Sequence, residues 1–307
     1  MIHHSGYVAL VGEPNAGKST LLNALLGQKL SIVTPKPQTT RHKIAGILTE
    51  EDLQIVFLDT PGLIKPKYAL QEVMMASAEG AISDADVVIF LVDASGHGAM
   101  KALEYHNIGK QKSEHGARII DLRTNKPLFL VLNKIDLMKR NEVLPLIKSA
   151  GEIPLFKEII PVSALTGENL DDLKKTIVKY LPEGNSLYPE DYVSDRDERF
   201  FVSELVREEI FRAFKEEVPY STTVDIEEFR ESVNEKKTYI RAIIYVEKDS
   251  QKGIIIGKNG LALKRIGQSS RRQIEEMIGH DVFLELFVKV RGGWRNNKKK
   301  LPHLGYR

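Results

Sequence analysis

The stretch that most constrains this fold is GEPNAGKST, at residues 12–20. It fits the pattern GxxxxGK followed by Ser or Thr, comes after the apolar run 7–11 and opens a helical pattern at Lys18. Glycines in such a loop let backbone N–H groups point at phosphate oxygens, and the helix N-terminus adds partial positive charge. A chance match is the alternative, but a strand before the loop and a helix after it are the required context. The loop therefore predicts a nucleotide-phosphate site.

The loop also offers a lysine and a hydroxyl at useful places. Lys18 would reach the outer phosphates, and the Ser19 hydroxyl would ligate Mg²⁺. The expected nucleotide-binding residues of the loop are Gly12, Glu13, Pro14, Asn15, Ala16, Gly17, Lys18, Ser19 and Thr20.

Short apolar runs and helical patterns alternate from residue 6 to about residue 181. The runs are GYVALVG, LQIVFLDT, DVVIFLVDA, PLFLVLNK and EIIPVSA, and the helical patterns cover 18–26, 68–82, 141–150 and 169–180. Runs that are apolar on both faces suit buried, mostly parallel strands. The alternation predicts an α/β domain with a doubly wound, mostly parallel sheet.

Three more motifs stand where predicted strands end, which is where open α/β sheets bind ligands. Asp59 of DTPG would hold Mg²⁺ through its water shell, and the Gly62 N–H would meet a γ-phosphate, although DTPG alone is equally typical of a turn. Asp136 of NKID would accept hydrogen bonds from N1–H and the amine of guanine, which predicts GTP rather than ATP. A backbone N–H of SAL would meet guanine O6. The motif residues are Asp59, Thr60, Pro61, Gly62, Asn133, Lys134, Asp136, Ser163, Ala164 and Leu165.

Length and composition predict a two-domain protein of a reducing compartment. The chain has 307 residues, more than one typical core holds. It has no cysteine, which excludes disulfides and cysteine-ligated zinc. No apolar run approaches a membrane span of about 18 residues, and the start lacks a signal-peptide pattern. LPEGNSLYPEDY at 181–192 breaks the pattern. We predict a first domain at 1–181, a linker at 182–197, a second domain at 198–292 and a basic tail at 293–307.

The second domain has the predicted order α-β-β-α-α-β and contains GIIIGKNG at 253–260. This stretch has three residues between its glycines and no Ser or Thr after the lysine, so a second nucleotide site is disfavoured. GKNG matches the GxxG loop with which KH domains clamp a nucleic-acid backbone, although a tight helix–helix turn explains a lone GxxG equally well. We expect Gly257, Lys258, Asn259 and Gly260 to contact RNA. Ile254, Ile255 and Ile256 should line an apolar wall beside the bases.

Basic residues flank this loop although the net charge is only +2. As a group they suggest phosphate contacts, while a plain solvated helix face remains the alternative. Trp294, the only tryptophan, would either stack a base or pack at the domain edge. The basic candidates for RNA binding are Lys264, Arg265, Arg272, Lys289 and Arg291, with Lys252 and Arg271 beside them.

The motifs together resemble the translation-factor-like GTPases and, within them, the Era family, over nearly the whole length. The resemblance rests on GEPNAGKST, SIVTPKPQTTRH, FLDTPGL, NKID, SAL, LPEGNSLYPED and the GKNG region, and the second domain resembles the KH type 2 arrangement. It implies that Thr39 and Thr40 belong to switch I, with Thr40 as a Mg²⁺ ligand. It also implies that Asn15 holds K⁺ against the phosphates, the alternative being a loop-shaping asparagine.

The resemblance further implies a GTP-hydrolysing switch that binds 16S ribosomal RNA near its 3′ end and assists assembly of the 30S subunit. Leu63 stands where Ras-like enzymes carry a water-orienting glutamine, which predicts slow turnover supported by Lys18, Thr40 and Gly62. We expect a cytoplasmic monomer with no DNA partner and at most a peripheral contact with the inner face of the cell membrane. A GTPase that acts on another RNA or at a membrane, and a non-hydrolysing RNA-binding scaffold, remain alternatives.

Overall fold

The protein, described by a computed structural model over residues 3–95, 124–231 and 237–306, divides into two compact units. The first unit contains residues 1–31, 40–67 and 71–195. The second contains 32–39, 68–70 and 196–307. Two short stretches, 32–39 within SIVTPKPQTTRH and 68–70 after the DTPG motif, therefore group with the second unit rather than with the first.

The first unit is built on a six-stranded sheet in the order β2-β3-β1-β4-β5-β6 among the described residues. Its strands are β1 His4–Gly12, β2 Ile44–Glu50, β3 Leu53–Asp59, β4 Val87–Asp93, β5 Leu128–Asn133 and β6 Glu158–Pro161. Neighbouring strands pair in parallel except β2, which is antiparallel to β3. The predicted mostly parallel α/β sheet is confirmed.

Strand β2 was not predicted from the sequence. Its apolar residues are interrupted by Gly46 and Thr49, and only Glu51 and Asp52 separate it from β3. The pair forms a hairpin in which Ile47 lies opposite Val56. A hairpin strand needs no crossover helix, so the strand–helix alternation contained no signal for it.

Helices of the first unit cover the buried sheet. Among the described residues they are α1 Lys18–Leu26, α2 Ala69–Asp84, α3 Arg140–Gly151 and α4 Leu170–Val178, of which α2 enters this unit at Gln71. Leu21 of α1, Phe57 of β3 and Leu173 of α4 are fully buried in one apolar core. Core packing thus holds the carboxyl ends of the parallel strands, where the motifs lie, on a rigid support.

Residues 182–195 lie on the first unit and are not a free connection. The buried side chain of Gln54 accepts hydrogen bonds from Leu187 N at 2.7 Å and Tyr188 N at 2.8 Å. It also donates to Tyr188 O at 2.9 Å. Further along, Ser194 Oγ donates to Ala45 O at 2.6 Å on β2. Most of the segment predicted as a linker at 182–197 therefore covers the first unit.

The second unit has the predicted order of elements. They are α5 Glu198–Ala213, β7 Thr223–Arg230, β8 Lys237–Val246, α6 Asp249–Ile256, α7 Leu261–Ile278 and β9 Asp281–Val290. Central strand β8 is antiparallel to β7 and parallel to β9. Alternate residues of β8, such as Ile240 and Ile244, pack in one core with Val206, Ile266 and Ile274 of the helices. No helix in the described ranges is long and apolar enough to cross a membrane.

The C-terminal residues fold onto the second unit. Trp294 is completely buried, and its Nε1 donates to Ser221 O at 3.0 Å. Its ring stacks on Tyr306 with 5.8 Å between the ring centroids. Trp294 was expected either to stack a base or to pack at the domain edge. The structure shows packing, because a fully buried indole offers no face to a base.

Candidate nucleotide site and nucleic-acid groove

The phosphate loop joins β1 to α1 in a conformation that requires glycine. Gly17 precedes α1 with φ 99°, and Gly12 has φ 150°. A Cβ on Gly12 would lie 2.2 Å from Leu91 O, so no other residue fits there without displacing β4. The loop therefore presents backbone rather than side chains to the space above it, as phosphate binding requires.

Lys18 is buried at the base of this loop, with 6% of its surface exposed. Its Nζ donates to Gly12 O at 3.1 Å and to Glu13 O at 2.9 Å. Burial lowers the pKa of Lys18 to about 8, and the negative charges of Asp59 and Glu13 oppose that shift. A phosphate anion beside this ammonium would restore the charged form, because an opposite charge stabilises it.

Three oxygen-bearing side chains of the predicted Mg²⁺ site lie together. Ser19 Oγ donates to Asp59 Oδ2 at 2.7 Å and lies 2.9 Å from Thr40 Oγ1. Thr39 Oγ1 instead donates to Lys36 O at 2.8 Å. The geometry thus brings Thr40 rather than Thr39 beside Ser19.

The second oxygen of Asp59 is available to a ligand. Asp59 is completely buried, and its Oδ1 has no hydrogen-bond partner among the residues that the structure describes. Burial raises the pKa of this carboxyl, while Ser19, Lys18, Ser31 and the Thr60 N–H act in the opposite direction. Hydroxyl and carboxylate oxygens are the ligands that Mg²⁺ prefers, so these residues fit that ion.

The DTPG motif packs directly against the phosphate loop. Thr60 Oγ1 donates to Leu10 O at 2.7 Å, and Leu63 N donates to Gly12 O at 2.9 Å. A Cβ on Gly62 would lie 2.8 Å from Pro14 Cα, so glycine is needed for this approach. The Gly62 backbone is therefore next to the loop that would hold a γ-phosphate.

NKID and SAL meet the phosphate loop through Asn133. Its Nδ2 donates to Ala16 O at 2.8 Å, and its Oδ1 accepts from Ala164 N at 2.9 Å. Asp136 Oδ1 accepts from Ser163 Oγ at 2.6 Å, which orients the carboxylate that was predicted to read guanine. Three separate sequence motifs are thus joined by hydrogen bonds.

Asp93 is a member of this site that the motif analysis missed. Lys134 Nζ donates to Asp93 Oδ2 at 2.6 Å, which fixes the lysine of NKID. The pKa of Asp93 is lowered by hydrogen bonds from Lys134 and Ser95, which outweigh its partial burial. Its signal in the sequence was its place at the end of β4, because β4 is paired with β5 so that Asp93 lies opposite Asn133 of NKID.

Leu165, the last residue of the predicted SAL motif, has a side chain that is 79% exposed.

The GKNG loop joins α6 to α7 through left-handed backbone. Gly257, Asn259 and Gly260 have φ of 70°, 53° and 75°. A Cβ on Gly257 would lie 2.7 Å from that of Ala262, whereas a Cβ on Gly260 would meet no atom of the described residues within 4 Å. Lys258 and Asn259 are exposed. The loop thus leaves open space above its second glycine and places a lysine beside it.

A cavity of about 440 Å³ opens between α7 and β9, starting at this loop. We call it the α7–β9 groove, and its lining residues are Gly260, Leu263, Lys264, Gly267, Gln268, Arg271, Leu284 and Leu286. The helical members recur every three or four residues and form one face of α7. The sequence analysis did not predict five of these lining residues, although the helical periodicity of those on α7 was readable in the sequence. The five are Leu263, Gly267, Gln268, Leu284 and Leu286.

Of the three isoleucines that were predicted to form an apolar wall, Ile254 alone is exposed. Residues 253–256 are the last turn of α6, and successive helical residues point about 100° apart. Ile255 is completely buried in the core of the second unit, Ile256 packs against that core and Ile254 is 46% exposed. In the described structure the apolar lining of the groove comes from leucines of α7 and β9 instead.

The basic candidates separate into two groups. Lys264 lines the groove, and Arg265 and Arg272 are exposed on the same helix, α7. Lys289 Nζ contacts Glu227 at 3.4 Å, and the Arg291 guanidinium lies 5.4 Å from the centre of the Tyr245 ring. Lys289 lies outside the groove because successive residues of a strand point to opposite faces. Leu284 and Leu286 of β9 line the groove, and odd-numbered residues such as Lys289 point the other way. The structure does not bring Lys289 and Arg291 to the groove.

Comparison with known proteins agrees with both halves of this description. Residues 7–134 match the family described as 50S ribosome-binding GTPase, and residues 217–295 match the KH domain. GTPase Era of Lactobacillus delbrueckii subsp. bulgaricus is 46% identical over 304 residues, which are 99% of this chain and 96% of that protein. The chain belongs to the Era family of GTPases. GTPase Era of Alkaliphilus metalliredigens is 45% identical over the full length of both chains.

Solved Era structures have the same fold from end to end. An Era structure in complex with MgGDPNP and nucleotides 1506–1542 of 16S ribosomal RNA superimposes with a TM-score of 0.91 at 42% identity, covering 99% of each chain. A variant of Aquifex aeolicus Era bound to GDP and AlF4⁻ gives a TM-score of 0.90 at 42% identity, with the same coverage. The resemblance to the Era family that the motifs indicated is confirmed, with a P-loop GTPase domain followed by a KH domain.

Proposed function

We propose that this protein is a GTP-hydrolysing switch that binds 16S ribosomal RNA near its 3′ end and assists assembly of the 30S subunit. The observation that carries the nucleotide part is the cluster of Ser19, Thr40 and Asp59 beside buried Lys18. These groups offer hydroxyls, a carboxylate and an ammonium where the phosphate loop presents its backbone. The Era complex with MgGDPNP supports assigning GTP and Mg²⁺ to this cluster.

Each protein group has a separate task in the proposed hydrolysis. Lys18 would bind the outer phosphates, and the Gly62 N–H would donate to the γ-phosphate. Ser19 and Thr40 would ligate Mg²⁺ directly, and Asp59 would hold it through water. The bound Mg²⁺ would neutralise charge that develops on the phosphates. Leu63 has no group that orients water, so we propose slow intrinsic turnover that depends on these electrostatic contacts.

Asn15 is the proposed ligand of a potassium ion. It has φ 64° in the phosphate loop, a left-handed conformation that asparagine tolerates better than most residues. A K⁺ ion held there would supply positive charge to the phosphates in place of an arginine. GTP turnover in equal concentrations of KCl and NaCl tests this role, and equal rates would leave Asn15 as a loop-shaping residue only.

The α7–β9 groove and the GKNG loop would bind the RNA strand. Lys258 and Lys264 are exposed at the loop and in the groove, where phosphates need cations. Leu263, Leu284 and Leu286 supply an apolar floor for bases. The Era complex with nucleotides 1506–1542 of 16S ribosomal RNA supports this class of ligand.

We further propose that the protein is a cytoplasmic monomer and that any contact it makes with a membrane is peripheral.

Titrations and turnover measurements test this proposal. We expect fluorescent GDP to bind far more tightly than fluorescent ADP, and GTP to be hydrolysed to GDP and phosphate. We also expect an RNA of the 16S 3′-terminal sequence to bind more tightly than a scrambled RNA of equal length. Nucleotide binding without phosphate release would favour the scaffold alternative. Equal affinity for both RNAs would favour a GTPase that acts on another RNA.

A further inference from the structure

Residues 32–39, which directly precede Thr40, group with the second unit and not with the unit that contains the nucleotide motifs. Ile32 is 3% exposed and belongs to the same apolar core as Val206 and Ile210 of α5. We call residues 32–39 the anchored segment. Its first residue is thus fixed in the second unit by apolar packing.

Two hydrogen-bonded contacts with α5 hold the anchored segment further along. Val33 N donates to Glu208 Oε1 at 3.2 Å, and the Glu208 side chain is completely buried. Lys36 Nζ donates to the carbonyls of Phe211 and Phe214 at the C-terminal end of α5. The last carbonyls of a helix lack partners within it and carry partial negative charge, so an ammonium group stabilises this end.

Hydrogen bonds within the anchored segment extend this attachment to its last residue. Thr39 Oγ1 donates to Lys36 O at 2.8 Å and lies 2.6 Å from Thr34 Oγ1. Lys36 N donates to Thr34 Oγ1 at 3.2 Å. Lys36 therefore contacts α5 with its side chain and Thr39 with its main chain.

Thr40 follows Thr39 by one peptide bond and lies at the proposed Mg²⁺ site. Its Oγ1 is 2.9 Å from Ser19 Oγ, which donates to Asp59 Oδ2 at 2.7 Å. Consecutive Cα atoms across a trans peptide are about 3.8 Å apart, so Thr40 cannot move far while Thr39 is held. The attachment to α5 thus restricts where the Thr40 hydroxyl can be.

We propose that Glu208 and Lys36 are positioning residues for GTP hydrolysis, which act through the anchored segment to keep the Thr40 hydroxyl at the Mg²⁺ site. The inference rests on the proposed function, in which Ser19 and Thr40 ligate Mg²⁺ directly. A helix of the second unit then sets the Mg²⁺ affinity of the GTPase. Groups that orient a metal ligand typically change metal affinity by about 10–100-fold.

Lys215 and Glu209 provide matched controls. Lys215 lines the same cavity of about 490 Å³ as Lys36, but in the described ranges its ammonium forms no hydrogen bond with α5. Glu209 follows Glu208 on α5 and likewise pairs with Arg212, at 3.1 Å, but among the described residues it is not bonded to the anchored segment. Each control removes the same charge from neighbouring surroundings.

The test measures single-turnover GTP hydrolysis by the full chain as Mg²⁺ is varied from micromolar to millimolar concentrations. We expect Lys36→Met and Glu208→Ala to need about tenfold more Mg²⁺ for half-maximal rate and to approach the rate of the unchanged chain at saturating Mg²⁺. Glu208→Gln should restore the midpoint, because an amide oxygen also accepts from Val33 N. Lys215→Met and Glu209→Ala should follow the unchanged chain throughout.

A double-mutant cycle shows whether the effect passes through Thr40. Thr40→Ala alone should raise the Mg²⁺ midpoint. Adding Lys36→Met to Thr40→Ala should raise it no further, because the hydroxyl that Lys36 positions is already absent.

Three results would overturn the proposal. They are unaltered Mg²⁺ midpoints in Lys36→Met and Glu208→Ala, additive shifts of Lys36→Met and Thr40→Ala, and a rate lowered by one factor at every Mg²⁺ concentration, which would indicate a general structural defect. If Glu208→Ala does not fold, Lys36→Met, which alters a half-buried side chain, decides alone. A midpoint that Thr40→Ala leaves unchanged would instead contradict the Mg²⁺ site of the proposed function itself.

Discussion

The side-chain amide of Asn133 donates to the main-chain carbonyl of Ala16 at 2.8 Å, which ties the base-reading motif to the phosphate loop. Gly17 makes this contact possible, because a Cβ at that position would lie 2.3 Å from Asn133 Nδ2. The two ends of a bound nucleotide would therefore contact one connected structure, and a disturbance at Gly17 should reach both.

Gly17→Ala should weaken GDP binding by about a hundredfold, since displacements near 1 Å in a site have effects of that size. The new methyl group would displace Asn133 and would also strain the left-handed backbone. Gly27→Ala is the control, because Gly27 is left-handed too, at the other end of α1, and its Cβ would meet no described atom within 4 Å. Fluorescent GDP titration measures both variants. Equal losses would show that backbone strain, and not the contact with Asn133, is responsible.

The lowered pKa of Lys18, about 8, predicts proton uptake on nucleotide binding. Phosphates favour the charged ammonium, so GDP binding should take up protons, and should take up more at pH 8.5 than at pH 7. Calorimetric titrations in two buffers of different ionisation enthalpy measure this uptake. If proton uptake is no larger at pH 8.5 than at pH 7, then Lys18 does not lose its proton in the nucleotide-free chain, and the lowered pKa is contradicted.

The same pKa predicts how the stability of the nucleotide-free chain changes in alkaline solution. Between pH 8 and 10.5 the unfolded chain keeps the Lys18 proton and the folded chain loses it. The contribution of Lys18 to the free energy of unfolding therefore rises with pH over that range. Lys18→Met should remove this rise, which denaturant unfolding at several pH values detects.

Gln54→Ala should lower the free energy of unfolding by about 2 kcal/mol, because it leaves two N–H donors and one carbonyl of residues 187–188 without their buried partner. Residues 182–195 should then detach, so limited proteolysis should cut there first. Thr49→Val is the control, since it removes only the hydroxyl that accepts from Gln54 Nε2. Urea unfolding compares the variants, and equal effects would mean that the covering segment adds no stability.

Leu63→Ala should change kcat for GTP hydrolysis by less than about threefold, because a leucine side chain neither orients water nor donates a hydrogen bond. The Leu63 N–H bond to Gly12 O involves only backbone and should persist. Single-turnover phosphate release measures the rate. A loss near a thousandfold would show that the side chain at this position takes part in hydrolysis.

Local signals in the sequence predicted the elements that bear the nucleotide motifs. Helix α1 has its predicted limits, Lys18 to Leu26, because left-handed glycines flank it at Gly17 and Gly27. Strands β1, β3, β4 and β5 were recognised because each is apolar on both faces. The motifs at their ends then meet for a topological reason, since the carboxyl ends of parallel strands share one edge of the sheet.

Features that depend on side-chain direction or on distant partners were not predictable in the same way. Ile254, Ile255 and Ile256 are similar as letters, but the helix points them in three directions. Asp93 became recognisable as a partner of Lys134 only when the pairing of β4 with β5 was known.

Gly260→Asp separates the two proposed sites from each other. It places a carboxylate over the GKNG loop, where the structure leaves open space, so it should repel an RNA backbone while leaving the first unit unchanged. Gly279→Asp is the control, because Gly279 has φ 84°, an equally open Cβ position in the described structure and a place at the other end of α7. The 18 residues of this helix lie between the two glycines and hold them about 28 Å apart.

The most direct measurement titrates each of these chains with fluorescent GDP and with the 16S 3′-terminal RNA in parallel. We expect Gly260→Asp to lower RNA affinity at least about tenfold and to leave GDP affinity unchanged, whereas Gly279→Asp should change neither affinity. RNA binding that survives Gly260→Asp, or GDP binding that falls together with it, would contradict a chain with one site for GTP and a separate site for RNA.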